Sequence, residues 1–125
     1  MNKVILIGRL TKNPETRYTQ SGLQVTTFTL AVDRKRAKKN SGQPTADFIP
    51  IVCWRKLAEI CANNLAKGRR VGVYGQMQVR TYDAKDGSKR YITEVLADEV
   101  EFLDKKAGGS SQQEPQDIAD EEIPF

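Results

Sequence analysis

The apolar residues of this chain come in short, β-branched runs broken by glycines and polar turns, and only one stretch carries helical spacing. Short strands leave unpaired edges that must be hidden within the fold. Residues 4–10, Val-Ile-Leu-Ile-Gly-Arg-Leu, read as a strand buried on both faces, with Gly8 marking a bulge or sharp bend. Asn13-Pro14 and Gln20-Ser21-Gly22 read as turns. Residues 25–32 alternate with period two, setting Phe28, Leu30 and Val32 on one face. Residues 47–54 alternate as well: Ile49, Ile51 and Cys53 point one way, and Phe48, Pro50, Val52 and Trp54 the other. Pro50 lacks an N–H, which places this strand at an edge or bulges it there.

Residues 56–66 carry Leu57, Ile60, Cys61 and Leu65 as one helical stripe, with Lys67-Gly68 as its expected stop. A long strand follows over residues 71–80, bent at Gly75. Asp86-Gly87 is then a hairpin tip before residues 90–97, and residues 100–103 allow a last short strand. The expected order is β-β-β-α-β-β. Closing such strands into an all-β, five-stranded Greek-key barrel, with the helix between strands three and four plugging one end, hides the edges. That is the order of the oligonucleotide-binding barrel. Periodicity alone leaves other small barrels and α+β sheets in competition.

Charge divides the chain in two. Residues 1–106 hold all 20 basic residues and 11 acids, net +9, whereas residues 107–125 hold five acids and no base, net −5. Residues 107–119 are too polar to fold and read as a flexible linker, leaving residues 1–106 as the domain and 120–125 as an acidic tip. The chain has no histidine, which removes the commonest general base and the histidine-based zinc sites. Cys53 and Cys61 cannot cage zinc alone and read as buried small hydrophobes in a reducing compartment. No apolar run approaches the roughly 18–20 residues of a membrane-spanning helix. No secretory h-region follows Met1, so a cytoplasmic location without membrane association is expected. Glu94, Asp98, Glu99 and Glu101 read as surface acids, and no nucleophile, metal-ligand or phosphate-cradle motif is present, so neither an enzyme nor a cofactor is expected.

Two constellations carry the functional expectation. Phe48, Trp54 and Tyr82 stand in a basic setting made by Arg34, Lys35, Arg36, Arg55, Lys56, Arg80 and Arg90. Exposed rings stack on any base, and such cations track a phosphate backbone. The competing reading buries Phe48 and Trp54 as core, but Ile49, Ile51 and Cys53 already supply a core on the opposite face. The second constellation is Asp120-Glu121-Glu122-Ile123-Pro124-Phe125, where three acids precede an aromatic carrying the α-carboxylate. Such a tip can dock its ring in an apolar pocket and its charges on a basic rim of another protein. The competing reading is a solubilising acidic tail.

Several segments resemble the bacterial single-stranded-DNA-binding proteins: Asn2-Lys3-Val4-Ile5-Leu6-Ile7-Gly8-Arg9-Leu10, Asn13-Pro14-Glu15-Thr16-Arg17-Tyr18, Phe28-Thr29-Leu30-Ala31-Val32, Thr93-Glu94-Val95 and the final hexapeptide. The resemblance covers residues 1–104 and the tip. It implies a homotetrameric oligonucleotide-binding fold that wraps single-stranded DNA and is nucleoid-associated. It also implies that Phe48, Trp54 and Tyr82 occupy base-stacking positions. Arg36 falls where some members carry a further aromatic. The tip implies docking of replication, recombination and repair enzymes through Phe125. The 13-residue linker is short for that family. An RNA-binding or chaperone role on the same barrel is the alternative.

Overall fold

The computed structural model describes residues 1–35, 42 and 45–104. Its elements are β1 (Val4–Leu10), β2 (Glu15–Tyr18), β3 (Gln24–Asp33), β4 (Ala46–Trp54), α1 (Arg55–Asn64), β5 (Arg70–Asp83) and β6 (Lys89–Phe102). They form one sheet in the order β1-β5-β6-β4-β3-β2, and β1 also pairs with β3. That extra pairing closes a ring of five strands, with β2 appended outside β3. The expected five-stranded barrel is therefore present. The β4–β6 ladder, Ile51 with Val95 and Val52 with Leu96, is parallel, and all other ladders are antiparallel.

Two glycines make closure possible. β1 runs beside β5 from Val4 to Arg9, then joins β3 at Arg9 and Leu10. At this change of partner a Cβ on Gly8 would lie 2.3 Å from the carbonyl oxygen of Ala31, a separation no side chain tolerates. Gly8 is thus a close-approach residue at the seam. Gly75 meets the carbonyl of Leu96 in the same way, with 2.1 Å to an added Cβ. There the register slips: Tyr74 faces Glu99 while Gly75 faces Ala97, so Asp98 is extra. This bulge turns two expected strands, residues 90–97 and 100–103, into one bent β6.

Leu30, Ile51, Cys53, Cys61, Val71 and Val73 fill the core and are fully buried. The helix closes one end. Buried Thr26 on β3 donates its hydroxyl to the carbonyl of Ala58 at 2.8 Å and accepts from Thr16 at 3.1 Å, tying α1 to the barrel wall. The Cys53 and Cys61 sulfurs are 3.8 Å apart, buried and unbridged. Their mutual hydrogen bond and burial push the Cys53 thiol upward, which favours the protonated, unreactive form.

Four expectations need correction. β1 is buried on one face only, because Ile5 and Ile7 point outward where nothing among the described residues covers them. The helical stripe uses Ala58 rather than Ile60, which is exposed. α1 ends at Asn64 with Leu65 extended, so Gly68 is not its C-terminal stop. Gly68, at φ +88°, instead serves the turn into β5, where its N–H donates to the Leu10 carbonyl. β2 occupies what reads in sequence only as chain between turns. Its four residues are all exposed, so no apolar alternation announces a strand that exists through pairing with β3. Pro50 behaves as expected: the ladder between β4 and β6 begins only at Ile51, so that edge of β4 is open at the proline.

Candidate nucleic-acid interface

Strand β4 builds the first part of the site by alternation. Its inward residues Ile51 and Cys53 anchor it in the core, which forces Phe48 and Trp54 onto the opposite face. Phe48 is 67% exposed and Trp54 39%. Six residues of strand separate them, roughly 20 Å, so the two rings cannot sandwich one group between them. The reading of these rings as core is thereby excluded.

β4 runs into α1 without a loop, which is possible because Arg55 adopts φ +57°. That conformation costs a non-glycine residue about 1 kcal/mol or more. The junction keeps Trp54 on its strand face and leaves Arg55 exposed beside it.

The second part is the β5–β6 hairpin. Opposed residues of an antiparallel pair share a face, so Gln78 with Glu94, Arg80 with Ile92, and Tyr82 with Arg90 form one surface. Tyr82 is 44% exposed. The base of this surface and the outer face of β4 bound a groove of about 660 Å³, lined by Lys12, Arg17, Trp54, Gln78, Arg80 and Glu94 among others. The structure thus brings Trp54 and Arg80 together, continues their surface to Tyr82 and Arg90, and leaves Phe48 at the far end of β4.

The expected cations are not equivalent. Arg34 grips Asp47 with Nη2 at 2.8 Å and Nε at 3.1 Å from Oδ1. That hydrogen bond, more than the ion-pair attraction, lowers the Asp47 carboxyl below its usual range and raises the guanidinium. Lys56 stands 3.9 Å from Glu59, and Arg90 3.5 Å from Asp86. Lys35 is exposed just beyond β3. Arg36 and the hexapeptide Asp120, Glu121, Glu122, Ile123, Pro124 and Phe125 lie outside the described residues.

Arg80 Nε donates to Glu94 Oε2 at 3.1 Å, and Gln78 Nε2 to the same oxygen at 3.3 Å. Glu94 is 5% exposed, so its reading as a surface acid is wrong. A carboxylate this deep needs partners, and Gln78 and Arg80 supply them. Lys12 and Arg17 join the groove without having been expected there. For Arg17 a signal exists, since Glu15 and Arg17 alternate with Thr16 and Tyr18. It becomes legible only with β2 in place beside β3. Among the described residues no group of three or more acids or cysteines is arranged to hold a metal ion, and no helix is long and apolar enough to cross a membrane.

Residues 1–103 match the Single-strand binding protein family. Over 117 residues the chain is 57% identical to a single-stranded DNA-binding protein of Caldanaerobacter subterraneus subsp. tengcongensis, covering 94% of this chain and 77% of the relative. It is 58% identical over 105 residues to single-stranded DNA-binding protein 3 of Clostridium acetobutylicum, covering 83% and 72%. A single-stranded DNA-binding protein of Clostridium tetani is 54% identical over 114 residues, covering 88% and 77%. With the match spanning the whole closed barrel and the groove on its face, the chain belongs to the single-strand binding protein family.

Proposed function

We propose that this protein binds single-stranded DNA with little sequence preference and protects it during replication, recombination and repair. The observation that carries the reading is the placement of Phe48, Trp54 and Tyr82 outside the core, with Trp54 and Arg80 on one groove. Bases stack on the rings at about 1–3 kcal/mol each, and every base offers a π-face, so the binding is tolerant of sequence. Lys12, Arg17, Lys35, Arg55 and Arg80 take the phosphates, with Arg34, Arg36, Lys56 and Arg90 extending the path, and each neutralised phosphate releases counterions. Nothing in this chemistry transfers a proton or a group, which suits a chain without histidine.

The protein acts as a homotetramer in the cytoplasm, associated with the nucleoid. Support for self-association comes from β1: its pairing with β3 is limited to Arg9 and Leu10, and Ile5 and Ile7 are uncovered beside that open stretch of edge. Residues 120–125 recruit DNA-processing enzymes through Phe125 and the preceding acids.

Trp54 is the only tryptophan, so its fluorescence reports directly on the site. Titration with poly(dT) is expected to quench it, with an affinity that falls by about 0.7 logarithmic units per tenfold rise in salt for each neutralised phosphate. Unchanged fluorescence and mobility at low salt would remove the reading. Competition by matched RNA and DNA strands tests the nucleic-acid class, and DNA is expected to win. Deleting Phe125 is expected to abolish partner binding and leave DNA affinity unchanged at moderate salt.

A further inference from the structure

A groove suited to a polyanion contains a nearly buried carboxylate. Glu94 is the only buried charged residue among the described ones, and it lies on the groove wall. Burying a carboxylate is unfavourable unless it is paired, and a negative charge there also repels phosphate. A carboxylate in that position needs a compensating interaction.

The hydrogen bonds supply one. Glu94 Oε2 accepts from Gln78 Nε2 and from Arg80 Nε. Arg80 itself is 53% exposed, and its two Nη nitrogens have no partner among the described residues. The contact at Nε restrains the guanidinium on a half-exposed side chain and leaves its two remaining nitrogens available as a fork that matches two phosphate oxygens.

We infer that Glu94 is a positioning residue for DNA binding: by holding Arg80 at Nε, it presents the Arg80 Nη fork to a phosphate of the strand in the groove. The inference rests on the single-stranded-DNA reading and on Arg80 as a phosphate contact. It changes what Arg80 contributes. The pair carries no net charge, so it adds little long-range attraction. It offers a short-range, directional contact that the Glu94 hydrogen bond partly orders before DNA arrives.

Removing the carboxylate therefore has two opposed effects, and their sign decides the matter. Pure electrostatics predicts that Glu94→Gln tightens DNA binding and steepens its salt dependence. Positioning predicts weaker binding. The experiment titrates the full chain with a long dT oligomer at about 0.2 M salt, where exposed charges are screened within about a Debye length. Arg80→Ala is expected to weaken binding about tenfold, the low end for a hydrogen bond between charged groups. Glu94→Gln is expected to weaken it by a similar factor, and the double variant no further than Arg80→Ala alone. Equal or tighter binding by Glu94→Gln, or losses that multiply in the double variant, would overturn the inference.

Arg80→Lys is the second variant, and it leaves the buried carboxylate in place. It keeps the charge and loses the fork, so it is expected to bind as weakly as Arg80→Ala. Binding restored to the original level by lysine would also overturn the inference. If Arg80→Ala binds as tightly as the unsubstituted chain, Arg80 is not a contact and the inference fails alone. The single-stranded-DNA reading fails only if the unsubstituted chain ignores dT.

Discussion

Strand β4 and the outer part of the β5–β6 hairpin both set aromatic rings beside cations, but only β4 has a core behind it. Ile51 and Cys53 on the reverse of β4 are fully buried, and β3 pairs with the strand along its whole length. Beyond the bulge the hairpin loses that backing. Met77, Val79 and Tyr91 on its reverse are exposed, as are nearly all residues from 79 to 91. A ring on β4 is therefore held in place before ligand arrives, whereas a ring at the hairpin end loses conformational entropy on binding. The same residue types thus stand on a strand backed by the core in one region and on an unbacked hairpin in the other.

The most severe test of that contrast is stability. Ile51→Ala, directly behind the β4 aromatics, is expected to cost about 2–5 kcal/mol in denaturant unfolding. Val79→Ala on the hairpin is expected to stay within about 0.5 kcal/mol. Comparable losses at both sites would mean that the hairpin belongs to the cooperative core. Affinity comes next. Trp54→Ala is expected to lose about 1–3 kcal/mol per stacked base in dT titrations, and Tyr82→Ala less, because ordering the hairpin offsets part of its stacking energy. A larger loss at Tyr82 would invert the comparison.

The strand-to-helix junction sharpens it further. Arg55 holds φ +57°, so Arg55→Gly is expected to raise stability by about 1 kcal/mol while DNA affinity falls through loss of a cation beside Trp54. Chemical denaturation and dT titration of the one variant read both signs.

The smallest effect is expected at the Phe48 end. Arg34 depresses the Asp47 carboxyl, so their contact is intact above the usual carboxylate range and is lost as pH falls through the lowered Asp47 value. Arg34 is then released toward DNA. Affinity is expected to rise slightly on acidification, and this increment should vanish in Asp47→Asn, which frees Arg34 at every pH. An increment that survives in that variant would assign it to another group.

Much of this is legible in the order of the amino acids. Period-two alternation over residues 47–54 separates Ile51 and Cys53 from Phe48 and Trp54, because neighbouring side chains on a strand must take opposite faces. Gly8 and Gly75 stand out as corners, since a glycine inside a strand signals close backbone approach. Elements whose reason lies elsewhere in the chain are illegible. β2 has no apolar pattern and exists because β3 offers it an edge. Gly68 sits where a helix stop belongs, yet it serves the turn beside Leu10. Glu94 reads as surface because a charge in a strand usually is. Its burial depends on Arg80 and Gln78, which lie across a ladder at least 14 residues away in the chain.

Local periodicity and glycine placement therefore set the short strands, the single helix and the aromatic face of β4, since those depend on near neighbours and on steric rules along the chain, whereas closure into this barrel, and not another small barrel or an α+β sheet, is decided by the long-range pairings of β1 with β3 and β4 with β6. Which cations stand free and which are tied depends on the tertiary structure. So does the groove that joins β2 to the hairpin, and so does the burial of the Glu94 carboxylate. Hydrogen bonds and ion pairs form between groups far apart in sequence, and their energies depend on an exposure that exists only once the barrel has closed.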